Sequence, residues 1–207
     1  MAIAKKTLTQ MVYDYVYEAI VNAELDGSEI ITESRVAEEL NVSKAPVREA
    51  LLMLCQENIL QSVPRTGYLI TRITPAQVSK LVEARLLLEP RMLEMGWSHI
   101  GPGQVQDMVD FHVGLNTEEN MRGSILNRWK DNIAFHIKLA GYCENDYLIE
   151  MLRQLLRTSA RAATQCFLGY RASGHEASYH DMIIEALKVS DLDAARSALI
   201  SDIGEIK

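Results

Sequence analysis

The stretch Leu40-Asn-Val-Ser-Lys-Ala-Pro-Val-Arg-Glu-Ala-Leu51 decides how this chain is read. Asn41-Val42 breaks one helical pattern and Ser43 opens the next as an N-cap, with Pro46 in the first turn, where a missing N–H does no harm. Val47, Ala50, Leu51 and Leu54 then recur at helical spacing as a buried stripe, while Lys44 and Arg48 lie one turn apart on the opposite face. Upstream, Thr32 is placed to cap a short helix over 33–40 that turns Val36, Ala37 and Leu40 inward. Before it, Leu8, Met11, Val12, Tyr15, Val16, Ala19, Ile20 and Ala23 mark an amphipathic first helix, stopped by Asp26-Gly27-Ser28. Two short helices joined by a tight turn, the second basic at its exposed start, describe a helix-turn-helix.

The next segment extends that motif. Residues 59–63 and 68–73 are rich in β-branched residues and are linked by Pro64-Arg-Thr-Gly67, which predicts a β-hairpin. Three helices followed by a hairpin make a winged helix, with a tip that offers the cation of Arg65 and backbone N–H groups to phosphate or the minor groove. The net charge of −7 over 207 residues argues at first against a nucleic-acid partner. Between 43 and 72, however, Lys44, Arg48, Arg65 and Arg72 face only Glu49 and Glu57, a local balance of +2. The charge reverses on the segment that would meet DNA.

Working outward, 48% hydrophobic and 24% charged residues describe a folded globular chain, and the scarcity of Gly, Pro and aromatics favours helix. There is no run of 18 apolar residues and no signal-peptide pattern at the start, so a cytoplasmic location is expected. Cys55, Cys143 and Cys166 are odd in number and widely spaced, which suggests neither a disulfide framework nor a zinc knuckle.

Thr74-Pro-Ala-Gln77 has the form of a capping box and opens a long helix reaching about His99. Further helices are expected at about 104–117, 124–140, 146–171, 175–189 and 191–206, with Ser124, Asn145, Ser173 and Asp191 as start signals. Nothing among them alternates as a strand would. The expected fold is thus mainly α, a winged helix-turn-helix over 1–74 followed by an all-α six-helix bundle over 75–207. Within the bundle, Asn132 and His136 share a helix face, and His180 and Asp202 fall on the last two helices. Such groups could bind Zn²⁺, Ni²⁺ or Mn²⁺, and core histidines with ordinary hydrogen bonds are the plainer alternative. His112 lacks partners at recognisable spacing and is read as exposed or structural; His99 and His175 are read as structural helix-end residues.

The residues from Glu33 to Ala37 and from Leu40 to Leu51, with Leu54 and Gly67-Tyr68, closely resemble the DNA-binding domain of the GntR family of bacterial transcription regulators. Ser43, Lys44 and Arg48 match that family's DNA-contact positions, and Gly67 its wing glycine. Lys44 stands where the family usually has Arg, so Arg48 is favoured for base reading and Lys44 for phosphate. Arg65 and Thr66 complete the wing tip, and Ser34 and Arg35 are candidates for backbone contact. Arg85-Leu-Leu-Leu-Glu89, Asn132-Ile-Ala-Phe-His136 and His180-Asp-Met-Ile-Ile-Glu-Ala-Leu187 are similar to segments of the FCD domain, the helical effector module of the FadR subfamily. Six helices resemble its shorter, VanR-like variant. The resemblance implies a metal on Asn132, His136, His180 and Asp202, although the family's first acid is here an amide and its last histidine an acid. It also implies a homodimer on a pseudo-palindromic double-stranded operator, controlled by a small organic acid held through the bound metal; the alternative is an anionic metabolite bound directly, with Arg85 or Arg161 as its carboxylate partner. Arg85 could equally form a plain i, i+4 pair with Glu89.

A repressor is the expected sense of regulation. The alternatives are a metal-dependent hydrolase at His136, His180 and Asp202, and a helical module whose winged helix binds protein. No H-E-x-x-H, G-x-S-x-G or phosphate-loop motif supports an enzyme.

Overall fold

The computed structural model describes residues 6–22, 24–25, 29–115, 125–166 and 175–204. The stop signal at 26–28, the start signals Ser124 and Ser173, and the side chains of Cys166 and His175 lie outside the described part. The chain divides into two compact units, Met1–Arg72 and Ile73–Lys207.

The first unit opens with α1 (Leu8–Val21), in which the buried face is Val12, Tyr13, Val16, Ala19, Ile20 and Val21. Leu8, Met11 and Tyr15, expected inside, are exposed. The helix is rolled toward Tyr13, which buries its ring and donates its hydroxyl to Glu57 at 2.7 Å, satisfying the one polar atom that burial would otherwise leave unpaired. Strand β1 (Ile30–Ile31) leads into α2 (Glu33–Leu40), where Thr32 accepts from the Arg35 N–H as expected of a cap. Asn41 ends α2 in the left-handed region (φ 51°, ψ 47°), a conformation Asn tolerates better than most side chains. The sharp turn sends the chain into α3 (Lys44–Gln56), whose Val47, Ala50, Leu51 and Leu54 are completely buried, the stripe read from the sequence. Ser43 has the extended backbone of an N-cap but makes no side-chain cap bond, so its exposed hydroxyl is not spent on the helix.

The wing consists of β2 (Leu60–Val63) and β3 (Gly67–Ile70), paired antiparallel with Leu60 opposite Ile70 and Val63 opposite Gly67. The expected two-stranded hairpin is in fact a three-stranded sheet of order β1-β3-β2, because β1 pairs with β3 through Ile30–Leu69 and Ile31–Tyr68. Two residues are too short to show alternation, which is why the sequence did not announce β1. Gly67 carries the junction at φ +142°, and a Cβ there would stand 2.4 Å from the Ile31 carbonyl oxygen. Gly67→Ala should therefore lower the stability of this unit by about 1–3 kcal/mol through backbone strain and lost β1–β3 pairing. Urea unfolding checks this, and an unchanged midpoint would show that the junction relaxes freely.

The second unit contains, among the described residues, α4 (Pro75–Gly96), α5 (Pro102–Leu115), α6 (Ile125–Gly141), α7 (Asp146–Cys166), α8 (His175–Lys188) and α9 (Leu192–Gly204). The capping box forms as read: Thr74 accepts from the Gln77 N–H, and the Gln77 side chain accepts from the Thr74 N–H. α4 stops at Gly96 and passes through a 3-10 turn, Trp97–His99, instead of reaching His99 as α-helix. A Cβ on Gly96 would stand 2.6 Å from the backbone of Tyr142, so the end of α4 can lie directly against the turn after α6. Val82, Leu93, Met108, Phe135, Leu139, Ile183, Leu187 and Leu199 form the main core. Met92, Leu152 and Leu156 join α4, α6 and α7 on its other side.

Candidate nucleic-acid interface and buried donor cluster

In the first unit, the cationic residues singled out from the sequence are on the surface. Lys44, Arg48, Arg35, Arg65 and Thr66 are exposed, and Ser34 is half-buried. Arg48 is nevertheless committed within the chain: its Nε donates to Glu33 Oε1 at 2.9 Å and its Nη2 to Glu33 Oε2 at 2.8 Å. The fork expected to read bases is thus docked side-on against a carboxylate at the start of α2. That carboxylate also accepts from the Tyr68 hydroxyl at 3.3 Å. The guanidinium beside it holds the Glu33 carboxyl below the usual carboxylate range. Arg35 is similarly shared between Glu29 (3.2 Å) and Glu39 (2.9 Å). Periodicity could not reveal these pairings, since Glu33 and Arg48 are fifteen residues apart.

At the wing tip, the Thr66 N–H donates to the Val63 carbonyl at 3.1 Å. This closes a turn with Pro64 in second place and Arg65 in third at φ 64°. Turns of this kind prefer Gly or Asn in third place, so an arginine there is held in a disfavoured conformation that thrusts a cation outward. Gly67, assigned to the tip by its motif, sits one step inside the strand, against Ile31.

In the second unit, the helices bring together the residues that the sequence scattered over 118 positions. Arg85, Glu89, His136, His180 and Asp202 interact there and are all buried, and Asn132 and Arg161 are buried as well. Arg85 Nε donates to Glu89 Oε1 at 2.5 Å, so the i, i+4 pair does exist. Glu89 Oε2 lies 2.6 Å from His136 Nδ1. With Glu89 ionised, Nδ1 is the donor and Nε2 is turned to the other side of the ring. There, His136 Nε2 lies 3.0 Å from Asp202 Oδ2, and His180 Nε2 lies 3.9 Å from Asp202 Oδ1. One donor atom from each of His136, His180 and Asp202 falls within 4.8 Å of the others.

The protein leaves several of these atoms unsatisfied. His180 Nε2, Asn132 Oδ1 and both terminal nitrogens of Arg85 are buried with no hydrogen-bond partner, and His136 Nε2 has only the Asp202 carboxylate at 3.0 Å as its ion-pair partner. Buried polar atoms are nearly always paired, so this group of unsatisfied atoms is the candidate ligand site of the second unit. The two imidazoles are also driven apart. Burial alone would depress His136, but the carboxylates of Glu89 and Asp202 outweigh it and raise its pKa to about 9. Burial and the neighbouring His136 charge together push His180 down to about 3. Once His136 Nε2 gives up the proton that Glu89 and Asp202 hold on the ring, two nitrogens and an ionised oxygen at these separations could hold a divalent transition metal, with the Asn132 amide one turn before His136 as a further oxygen donor.

His112 was read from sequence as lacking partners, and the structure corrects this. It is buried, its Nε2 lies 2.8 Å from Asp181 Oδ1, and its ring stands edge-on to Phe135 and His180. Phe135 stacks flat on His180 with centroids 3.8 Å apart. Phe135, His112 and Glu89 together fix the two metal-type imidazoles. Glu89 was visible only as the end of a motif, and His112 carried no signal, because its partner is 69 residues away.

A recognition helix and a wing, followed by a separate helical unit, define a winged-helix class of transcription regulator. The comparisons with known proteins name its family. Residues 8–70 match the "Bacterial regulatory proteins, gntR family" domain and residues 80–204 the FCD domain, and the chain belongs to the GntR family of transcription regulators that carry an FCD domain. It is 23% identical to the gluconate operon transcriptional repressor of Bacillus licheniformis over 91% of this chain and 79% of that one. It is 24% identical to the regulator McbR of Escherichia coli over 92% and 86%. Among solved structures, E. coli McbR/YncC superposes with a TM-score of 0.80 at 19% identity, covering 97% of this chain and 95% of that one. A GntR transcriptional regulator from Rhodococcus sp. RHA1 gives 0.74 at 20% identity, covering 95% and 94%. These relatives are DNA-binding regulators and not enzymes, and among the described residues no helix is long and apolar enough to cross a membrane.

Proposed function

We propose that this protein is a cytoplasmic homodimeric repressor that releases its operator when a small organic acid enters the helical unit. Two winged helices would meet the half-sites of a pseudo-palindrome, since the symmetry of a dimer is matched by that of its DNA. Arg48 would read bases from the recognition helix. Ser43 and Lys44 would bind phosphate, with Ser34 and Arg35 alongside on the backbone. Arg65 and Thr66, set by the turn that the Thr66–Val63 hydrogen bond closes, would enter the minor groove with the wing glycine Gly67 beside them.

The observation that carries the ligand half is the set of orphaned atoms around His136, His180, Asn132 and Arg85. His136, His180 and Asp202 would hold a divalent metal, with Asn132 as the weaker neutral donor; a metal there would supply a Lewis-acidic positive charge. Arg85 keeps Glu89 through Nε and has both terminal nitrogens left for a carboxylate, the bidentate partner that a guanidinium prefers. Arg161, also buried, would add a second cation. Relatives named as repressors, one of them of a gluconate operon, support the sense of regulation and the acidic class of effector.

The test begins with the DNA that the purified protein enriches from a randomised duplex pool. Sugar acids, hydroxy acids and dicarboxylates are then added to the complex in a mobility-shift assay, and one class should release it. An effector acts only through a difference in affinity between two arrangements. Failure of every acid, with or without metal, would remove the ligand reading. Arg48→Ala should weaken binding to the enriched duplex by about 1–3 kcal/mol and relax its sequence preference. Unchanged preference would reassign Arg48 to another role.

A further inference from the structure

The side-on docking of Arg48 against Glu33 suggests a part for a residue that contacts no DNA in the reading above. A guanidinium has five N–H donors. Glu33 takes the Nε and one Nη2 hydrogen, which leaves one Nη1 hydrogen and the second Nη2 hydrogen at the outer end, the other Nη1 hydrogen being turned back toward Cδ. Those outer hydrogens form a second fork, parallel and end-on, of the kind that fits the paired acceptors of guanine or two phosphate oxygens. The Arg48 side chain is 60% exposed and that of Glu33 22%, so the clamp is anchored on the protein side while its outer end faces water. Glu33 is itself fixed. It occupies the first turn of α2 next to the Thr32 cap, where a negative charge is favoured. The Tyr68 hydroxyl of β3 reaches the same carboxylate. One carboxylate therefore ties helix α2, the recognition helix and the wing strand together.

We propose that Glu33 is a positioning residue for operator recognition, holding Arg48 as a preset end-on fork so that sequence preference depends on the pair and not on the arginine alone. The proposal rests on the reading that Arg48 contacts DNA. An unclamped arginine has four flexible side-chain torsions to freeze on binding, and a clamped one has lost most of that freedom beforehand. Glu33 also places a negative charge on a surface that must approach phosphates, which by itself weakens binding to any duplex. The two effects separate experimentally: the clamp strengthens the correct sequence selectively, while the charge weakens all sequences alike.

The full-length protein is assayed on two duplexes, the one it enriches from a random pool and a scrambled duplex of the same composition. Glu33→Gln keeps the shape but not the charge, and Glu33→Asp keeps the charge but is too short to meet both nitrogens. Each should lower the affinity ratio between enriched and scrambled duplex by roughly five- to tenfold, the order expected when a rotamer-rich side chain is released. Scrambled-duplex affinity should stay level with Glu33→Asp and rise with Glu33→Gln. Combining either change with Arg48→Ala should lower the ratio no further than Arg48→Ala alone, because the residues act as a unit. Circular dichroism melting confirms that the variants are folded, and Glu33→Asp carries the test should Glu33→Gln not fold. If Arg48→Ala lowers the ratio but both Glu33 variants keep it within about twofold, Glu33 is a structural pairing only and the proposal fails. If Arg48→Ala itself leaves the ratio unchanged, the contact on which the proposal rests is wrong and both fall.

Discussion

Glu89→Gln should lower the unfolding free energy of the metal-free protein by about 3–5 kcal/mol, because it removes a buried anion that pairs with two buried groups, Arg85 and His136. Glu89 is 3% exposed and lies between the Arg85 guanidinium and His136 Nδ1. The amide is isosteric but neutral. It leaves the Arg85 guanidinium without its direct carboxylate partner, the buried Asp202 acting on it only through space, and it offers His136 Nδ1 a neutral acceptor. Urea unfolding monitored by circular dichroism gives the difference, with the midpoint moving and the slope unchanged. Burial alone would raise the Glu89 pKa, but Arg85 and His136 outweigh it and bring it from 4.5 down to about 2. The sign follows from that depression. The contribution of Glu89 is full above the unfolded value of 4.5 and is lost as the pH falls toward 2, so the gap between wild type and Glu89→Gln should narrow in acid. A gap below about 1 kcal/mol at neutral pH would mean that the buried charges find other partners.

Adding a divalent transition metal to the protein stripped of ions should raise its melting temperature, and His136→Ala or His180→Ala should abolish the rise. A ligand present at a hundredfold its dissociation constant stabilises by about 2.7 kcal/mol, which for a chain of this size is an upward shift of roughly 5–11 °C. Asp202→Ala should behave like the histidine variants, since its carboxylate supplies the only negative charge among the proposed donors. Asn132→Asp should strengthen the response by restoring a second charged oxygen. Should Zn²⁺, Ni²⁺ and Mn²⁺ all leave the melting curve of the unmodified protein in place, the orphaned histidine nitrogens would need another ligand, and a carboxylate on Arg85 would remain the candidate to test.

Some of this protein could be read from local pattern alone. Ser43, Pro46 and the stripe from Val47 to Leu54 specify the recognition helix because capping and helical periodicity act within a few residues. The same holds for the box at Thr74 and Gln77, which forms as expected. The wing could be read as well, since Pro64 to Gly67 breaks two β-branched runs. Where the local signal was weak or competed with another, the reading slipped. The two-residue β1 carried no alternation. Leu8, Met11 and Tyr15 fitted the helical period as well as Tyr13 did, and the Tyr13–Glu57 hydrogen bond decided which face went inside.

Only the tertiary structure decided the partners. Arg48 and Lys44 look alike in a sequence, two cations at the start of a helix, yet one is clamped by Glu33 and the other stands open. Glu89, His112, His136, His180 and Asp202 come from α4, α5, α6, α8 and α9. Their separations along the chain bear no relation to their distances in space, because hydrogen bonds and ion pairs between helices depend on how the helices pack and not on how far apart they are in sequence. Caps, turns and amphipathic faces are short-range properties that a chain carries with it. Which buried groups are satisfied, and which are left unsatisfied, exists only once the helices have met.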